Sequence, residues 1–283
     1  TYSYQMVGYG FLLLWSIALI AKQRNYNVSS SNTSSMYIKQ TYSTSTLLRE
    51  QYSDELPHLY TIRTDFQTAG RGQVGNSWES EDGQNLLYST LLRYPHLLAT
   101  EQWRLSMLVA ITWWEVLAKY LPSEQLTIKW PNDIYFGNSK LAGILIENTL
   151  MSNHLAYTIA GVGLNVNQTV WHSDAPNPIS MQQITGSTYQ PKQLLEEWIL
   201  SMKSWEIAPT EDIRVAYLAH LYRREGWHPY LEREVSLTPT AIAREGIDNS
   251  FLAECVNVTE HGELVLRLQN KEEKIYHFKQ IRF

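Results

Sequence analysis

One cysteine, Cys255, stands among 283 residues, so no disulfide can form within the chain and a cysteine-built zinc site is disfavoured. Such cysteine usage fits a reducing compartment, and the expected setting is cytoplasmic. Long basic runs are missing and the net charge is -5, which argues against nucleic acid as the main partner. No internal repeat is found. The apolar run MVGYGFLLLWSIALIA at 6–21 has no basic segment before it, as a secretory signal would require. What is present is ordinary for a globular protein: 44% hydrophobic and 18% charged residues. The length suffices for one large domain with a buried core, or one large and one small. Ten tryptophans and eighteen tyrosines read mainly as packing.

The first 35 residues differ from the rest. The run at 6–21 is near the lower limit for a membrane-spanning helix, and Lys22 and Arg24 after it would favour a cytoplasmic C-terminal side. A polar low-complexity linker, NYNVSSSNTSS, follows. The chain begins with Thr1, and Met36 is a candidate initiator; an over-extended reading frame ranks above a membrane anchor. From Met36 onward, short strand-like runs alternate with helices. MYIKQTYS, LYTIRTDFQ, NLLYSTLLRY, LTIKW, DIYF, KLAGILIENTL and LAYTIAGVGLNVN read as strands, with GNS a tight hairpin turn. Residues 45–52, 102–121, 194–205 and 211–224 read as helices. Short links favour antiparallel neighbours. After Gly226, EVSLT, AIAREGID, FLAECVNV, ELVLRLQ and KIYHFKQIRF are closely spaced strands of a small β-barrel. The expected class is α+β, a largely antiparallel mixed sheet with helices at 36–225 and a small barrel at 226–283.

Three stretches are unusual for plain structure. In GRGQVGNSW, Gly70, Gly72 and Gly75 free backbone N–H groups and Arg71 adds a fixed cation, which suits a phosphate or carboxylate. The loop is neither a P-loop nor a dinucleotide turn, and alone it would read as a mobile surface loop. In KWPND, Pro131 should end the strand LTIKW and leave Asn132 and Asp133 at a turn flanked by Lys129 and Lys140, with Glu147 further along the returning strand. Such charges could form a surface ion-pair network of little value. Yet Lys140 sits in apolar KLAGILIE, and a buried lysine needs an anion. GVGLNVN alone would read as a strand end with turn residues.

Together these stretches resemble the biotin–protein ligases, whose pattern GRGxxGxxW, KWPNDxxxxxxKxxGIL and GxGxNVN is matched in order by GRGQVGNSW, KWPNDIYFGNSKLAGIL and GVGLNVN. Ser43 and Thr44 fit the family's STN, with Ser45 replacing its asparagine. The likeness runs from about Met36 to the C-terminus. Residues 1–35 are too short and apolar for the DNA-binding helix-turn-helix of the family's regulatory members, so the non-repressor form is implied.

The resemblance implies a class II synthetase-like catalytic domain with an SH3-like barrel. It also implies an activity: biotin and ATP, with Mg2+, give biotinyl-5′-AMP, and biotin passes to a lysine of biotin carboxyl carrier protein. Ser43, Thr44 and Gln67 are then expected to hydrogen-bond biotin, with Gly70 and Arg71 at the carboxyl–phosphate region. Lys140 would bridge carboxylate and α-phosphate, acting with Arg71 and Asp133 in catalysis. Gly72, Gln73, Trp78, Asn132 and Asn165 are expected at the nucleotide, with Trp78 against adenine. Asp133 would position the incoming lysine and take its proton, and a metal role is open to Asp133 and Glu147. Many such ligases carry a second arginine where this chain has Gln73. Nucleic acid and membrane are not expected partners; monomer and homodimer both stay open. The alternatives are a lipoate or octanoate ligase of the same fold and a non-catalytic, membrane-tethered biotin-binding protein.

Overall fold

The computed structural model describes residues 35–73, 76–173, 175–232 and 250–283. The apolar run at 6–21 and the expected strands EVSLT and AIAREGID lie outside them. The described residues form one compact unit. Its large sheet has seven strands: β1 (Ser35–Thr41), β2 (Thr61–Gln67), β3 (Leu86–Leu92), β4 (Leu126–Lys129), β5 (Asp133–Phe136), β6 (Ser139–Met151) and β7 (His154–Leu164). The order is β1-β2-β3-β7-β6-β5-β4, and every pair is antiparallel except β1 with β2. This is the expected mixed, largely antiparallel sheet.

Both faces of the sheet are covered, which explains why β3 is buried at every position instead of alternating. On one face lies α1 (Thr44–Glu50), where Leu48 packs with Ile62, Leu91 and Ile159. On the other lie α2 (Trp103–Leu117), a short α3 (Met181–Thr185), α4 (Pro191–Trp205) and α5 (Thr210–Ala219). Trp113 of α2 and Trp198 of α4 stack at 5.9 Å. Their indole N–H groups donate to Tyr88 Oη and Thr112 Oγ1, so the rings are buried without an unpaired donor.

Several boundaries differ from the sequence reading. Strand β1 stops at Thr41 because Ser43 caps α1, accepting from Thr46 N at 3.5 Å. Helix α2 keeps regular form only to Leu117 and reaches Pro122 through turns. Helix α5 ends at Ala219 because the next residues run beside β4: Ile128 N donates to His220 O at 2.7 Å and Tyr222 N to Ile128 O at 2.9 Å. Asp133, expected both at the turn and at the head of the strand DIYF, opens β5 and pairs with Lys129. The turn between β4 and β5 is Trp130, Pro131 and Asn132.

The C-terminal strands are β8 (His228–Glu232), β9 (Ser250–Val258), β10 (Leu264–Leu268), β11 (Glu273–Tyr276) and β12 (Ile281–Arg282). They form an antiparallel sheet of order β11-β10-β9-β8-β12, in keeping with the expected SH3-like element. KIYHFKQIRF is two strands and not one, because a turn with Lys279 at φ +75° interrupts it. This sheet shares the main hydrophobic core. Among the described residues no helix is long and apolar enough to cross a membrane.

Candidate functional site

The three unusual stretches meet over the middle of the large sheet, around a pocket with roughly 700 Å3 of empty space counted out to its mouth. Its floor is polar. Gln67, the last residue of β2, accepts from Thr44 N at 2.8 Å and from Thr44 Oγ1 at 3.1 Å through its Oε1. Thr44 Oγ1 and Ser45 Oγ each share a 2.8 Å hydrogen bond with Ser89 Oγ. Ser43, Thr44 and Ser45 are buried at the start of α1, so the helix delivers three hydroxyls to one spot. Gly161 leaves room for them, since a Cβ there would collide with Ser45 Oγ. Ser45 entered the sequence reading only as the replacement for the family's asparagine, and Ser89 had no place in it. Ser89 lies inside an apolar strand run with nothing local to mark it.

The glycine loop is shaped by short backbone bonds: Gly72 N to Asn76 O at 2.9 Å and Trp78 N to Gly70 O at 3.0 Å. A side chain on Gly70 would come within 2.6 Å of Trp78 O. The loop carries the Trp78 ring onto the sheet, where β6 and β7 present the cross-strand pair Gly143 and Gly163. A Cβ on Gly143 would lie 2.6 Å from that ring, and one on Gly163 would also strike it. Only residues without side chains give the indole this seat. Its Nε1 is buried without a partner among the described residues. Arg71 and Gln73 line the same pocket.

Lys140 enters from β6. Between Ile134–Ala142 and Tyr135–Lys140 the register shifts by one residue, leaving Leu141 as a bulge. Side chains alternate along a strand, so Lys140 and Gly143 would otherwise face opposite sides. The extra residue turns Lys140 to the pocket face. Its backbone is pinned by Asn177 O (from Lys140 N, 2.7 Å) and Ile179 N (to Lys140 O, 3.0 Å). Lys140 Nζ lies 2.6 Å from Asp133 Oδ2 and 5.6 Å from the Trp78 ring centroid. Asp133 Oδ1 accepts from Ile144 N at 3.4 Å. Lys129, across the β4–β5 pair, lies beside the Tyr135 and Phe283 rings, and burial lowers its pKa from the usual lysine value.

The remaining candidates lie outside the pocket lining. Asn165 supports Lys140 from behind, donating from Nδ2 to Lys140 O at 3.3 Å and Ile179 O at 3.1 Å. Asn132 and Asn165 are buried, and the Oδ1 of each lacks a partner among the described residues. Glu147 is not beside Asp133's cation; it accepts from Arg71 Nη2 at 3.1 Å and pairs with Arg49 Nη2 at 2.7 Å. Among the described residues no three His, Cys, Asp or Glu side chains converge for a metal. The lining combines neutral hydrogen-bonding groups, from Ser43, Thr44, Ser45 and Gln67, with two cations, Arg71 and Lys140, and the carboxylate of Asp133. That suits a ligand with a polar, uncharged head and an anionic tail.

The chain is similar to known proteins over this same region. Residues 37–165 match the biotin/lipoate A/B protein ligase family. The bifunctional ligase/repressor BirA of Salmonella typhimurium is 32% identical over 171 residues, 60% of this chain but only 48% of that protein, so the chain spans about half its length. Biotin protein ligase from Aquifex aeolicus, solved with biotin and ATP, superposes with a TM-score of 0.64 over 88% of this chain and 97% of that one. At 21% identity this is a likeness of fold. The biotin–[acetyl-CoA-carboxylase] ligase of Paracoccus denitrificans is 30% identical over 196 residues, covering 65% of this chain and 78% of the relative. With its fold, its motifs and that breadth of match, the chain belongs to the biotin/lipoate A/B protein ligase family.

Proposed function

We propose that the protein is a biotin–protein ligase. It activates biotin with ATP to biotinyl-5′-AMP and transfers biotin to a lysine of biotin carboxyl carrier protein. The observation that carries this reading is the mixed lining of the pocket: the hydroxyls and amide of Ser43, Thr44, Ser45 and Gln67 beside the charged Arg71, Lys140 and Asp133. A ureido ring needs both donors and acceptors, which Ser43, Thr44, Ser45 and Gln67 supply.

In the first step a biotin carboxylate oxygen attacks the α-phosphorus and pyrophosphate leaves. Two anions must meet, so the site has to neutralise charge in advance. Lys140 and Arg71 do this, and the braced backbone of Lys140 keeps its cation in place. In the second step the carrier's lysine amine attacks the acyl carbon and AMP leaves. Asp133 orients the amine and takes its proton. Trp78 covers the acyl chain and meets the adenine. Magnesium, when bound with ATP, would be held largely by phosphate oxygens. The carboxylate of Asp133 and the unpartnered Oδ1 atoms of Asn132 and Asn165 are oxygen donors of the type it takes, and these residues would be the ones to hold it. Its chemistry would be to shield charge on the triphosphate. The carboxylase carrier and the cytoplasmic setting follow from the same reading, as do a catalytic domain at 36–225 and a barrel at 226–283.

Exchange of labelled pyrophosphate into ATP tests the reading. Exchange that depends on biotin supports it. Exchange with lipoate or octanoate alone would assign the protein to another acyl ligase, and biotin binding without exchange would make it a non-catalytic receptor.

A further inference from the structure

Glu147 has a place in the structure that the proposed chemistry leaves unused. On β6, Gly143, Leu145 and Glu147 share one face by strand alternation, and the first two line the pocket. Glu147 therefore follows at the rim. Its Oε1 pairs with Arg49 Nη2 at 2.7 Å, and Arg71 Nη2 donates to Oε2 at 3.1 Å and, at 3.4 Å, to Oε1 as well. Arg49 belongs to α1, the helix whose first residues form the pocket floor. Arg71 belongs to the glycine loop and is held at its backbone by an isolated bridge to Ser77. One carboxylate thus joins the helix, the sheet and the loop.

We infer that Glu147 is a positioning residue for Arg71, and that Arg49 fixes Glu147 for that task. This rests on the ligase reading for its catalytic consequence, though not for its geometry. An arginine side chain carries several rotatable bonds, and ordering it costs entropy. Holding Arg71 before the substrate arrives moves that cost out of the reaction. A guanidinium has five N–H donors, and Glu147 accepts from Nη2 alone, so other donors stay available to an incoming anion. Arg49 has a second effect. Beside Arg71 alone, a carboxylate would cancel the cation the site needs. With Arg49 on Oε1 as well, the triad keeps a net positive charge. The same pairing makes Glu147 a poor metal ligand, since both oxygens already face cations.

The test uses the full chain. Trypsin cleaves after arginine, so the rate of cleavage after Arg71, followed by mass spectrometry, reports how firmly that residue is held. Glu147→Gln and Arg49→Gln should each speed this cleavage by about two- to fivefold, the range expected of a half-exposed ion-pair network. The double variant should be no faster than the faster single. Raising ionic strength from about 0.05 to about 0.5 M should speed cleavage in the wild type and leave Glu147→Gln unchanged. Adenylation kcat should fall in both single variants with little change in KM for biotin, while Arg49→Lys stays near wild type. Should Glu147→Gln unfold, cleavage will rise at many sites, and the exposed Arg49 variants then decide. Unchanged cleavage after Arg71, additive effects, or a raised magnesium requirement in Glu147→Gln would overturn the inference. Absence of biotin-dependent exchange in the wild type would instead defeat the ligase reading, and the tryptic result would still decide the brace.

Discussion

Lys140 owes its aim to one extra residue, Leu141, and its stillness to the backbone bonds from Asn177 and Ile179. A cation placed in this way costs no reorganisation when charge develops. Lys140→Ala should therefore leave the fold intact and slow adenylate formation at least about a hundredfold, read by pyrophosphate exchange. Near-normal exchange in a folded variant would remove Lys140 from the mechanism. Asp133 lies against Lys140 and also accepts from Ile144 N. If it serves the carrier lysine, Asp133→Asn should slow transfer from pre-formed biotinyl-AMP more than it slows adenylation. Equal losses in the two steps would point to a metal or structural role. Gln73 lines the pocket without a charge. Gln73→Arg should slow release of biotinyl-AMP several-fold, because a net hydrogen bond to a charged group is worth about 1.5–3 kcal/mol at most. Dissociation of labelled adenylate measures this, and an unchanged rate would mean that Arg71 and the loop backbone suffice.

Among the elements, the strands were legible where apolar runs met turn residues, and DIYF was read to the residue as β5. Helix ends were legible only in part: Trp205 was read as the end of α4, but α5 stops where residues 220–222 pair with Ile128, a contact no local pattern announces. The site divides in the same way. GRGQVGNSW, KWPND and GVGLNVN were visible as local anomalies. The seat for Trp78 was not, since it depends on Gly143 and Gly163 falling opposite each other across β6 and β7. Ser89 was hidden because its partners Thr44 and Ser45 lie 45 and 44 residues away. The junction of α5 with β4 also carries a pH dependence. His220 stacks on Trp114 at 3.5 Å, and burial lowers its pKa from 6.5 to about 4. Above pH 6.5 the ring is neutral whether folded or not. Between 6.5 and 4 the unfolded chain takes up a proton that the folded chain refuses, so stability falls as pH falls. The loss is at most about 3 kcal/mol and ends near the folded pKa. Urea unfolding of wild type and His220→Phe at several pH values should show the variant with a flatter acid limb, and equal slopes would refute the assignment.

At the scale of the whole molecule, the described core begins at β1. Among the described residues, a chain started at Met36 loses the first β1–β2 pair, Ser35 with Thr61, and it keeps every motif. It should be folded and fully active in the exchange assay, and inactivity would show that earlier residues contribute to the site. The C-terminal sheet, in contrast, is tied to the catalytic region. Trp130, in the turn that leads into Asp133, donates from Nε1 to Gly262 O at 2.9 Å. Tyr217 Oη donates to Pro131 O at 2.8 Å in the same turn. Gly262 itself has a φ of +89°, and a Cβ there would run into the indole of Trp103. This sets an order on descent. Any lineage that replaces Gly262 must first exchange Trp103 for something smaller and still accept a backbone conformation that side chains resist. Until then the two positions are locked together, and the site drifts only along paths that leave both in place.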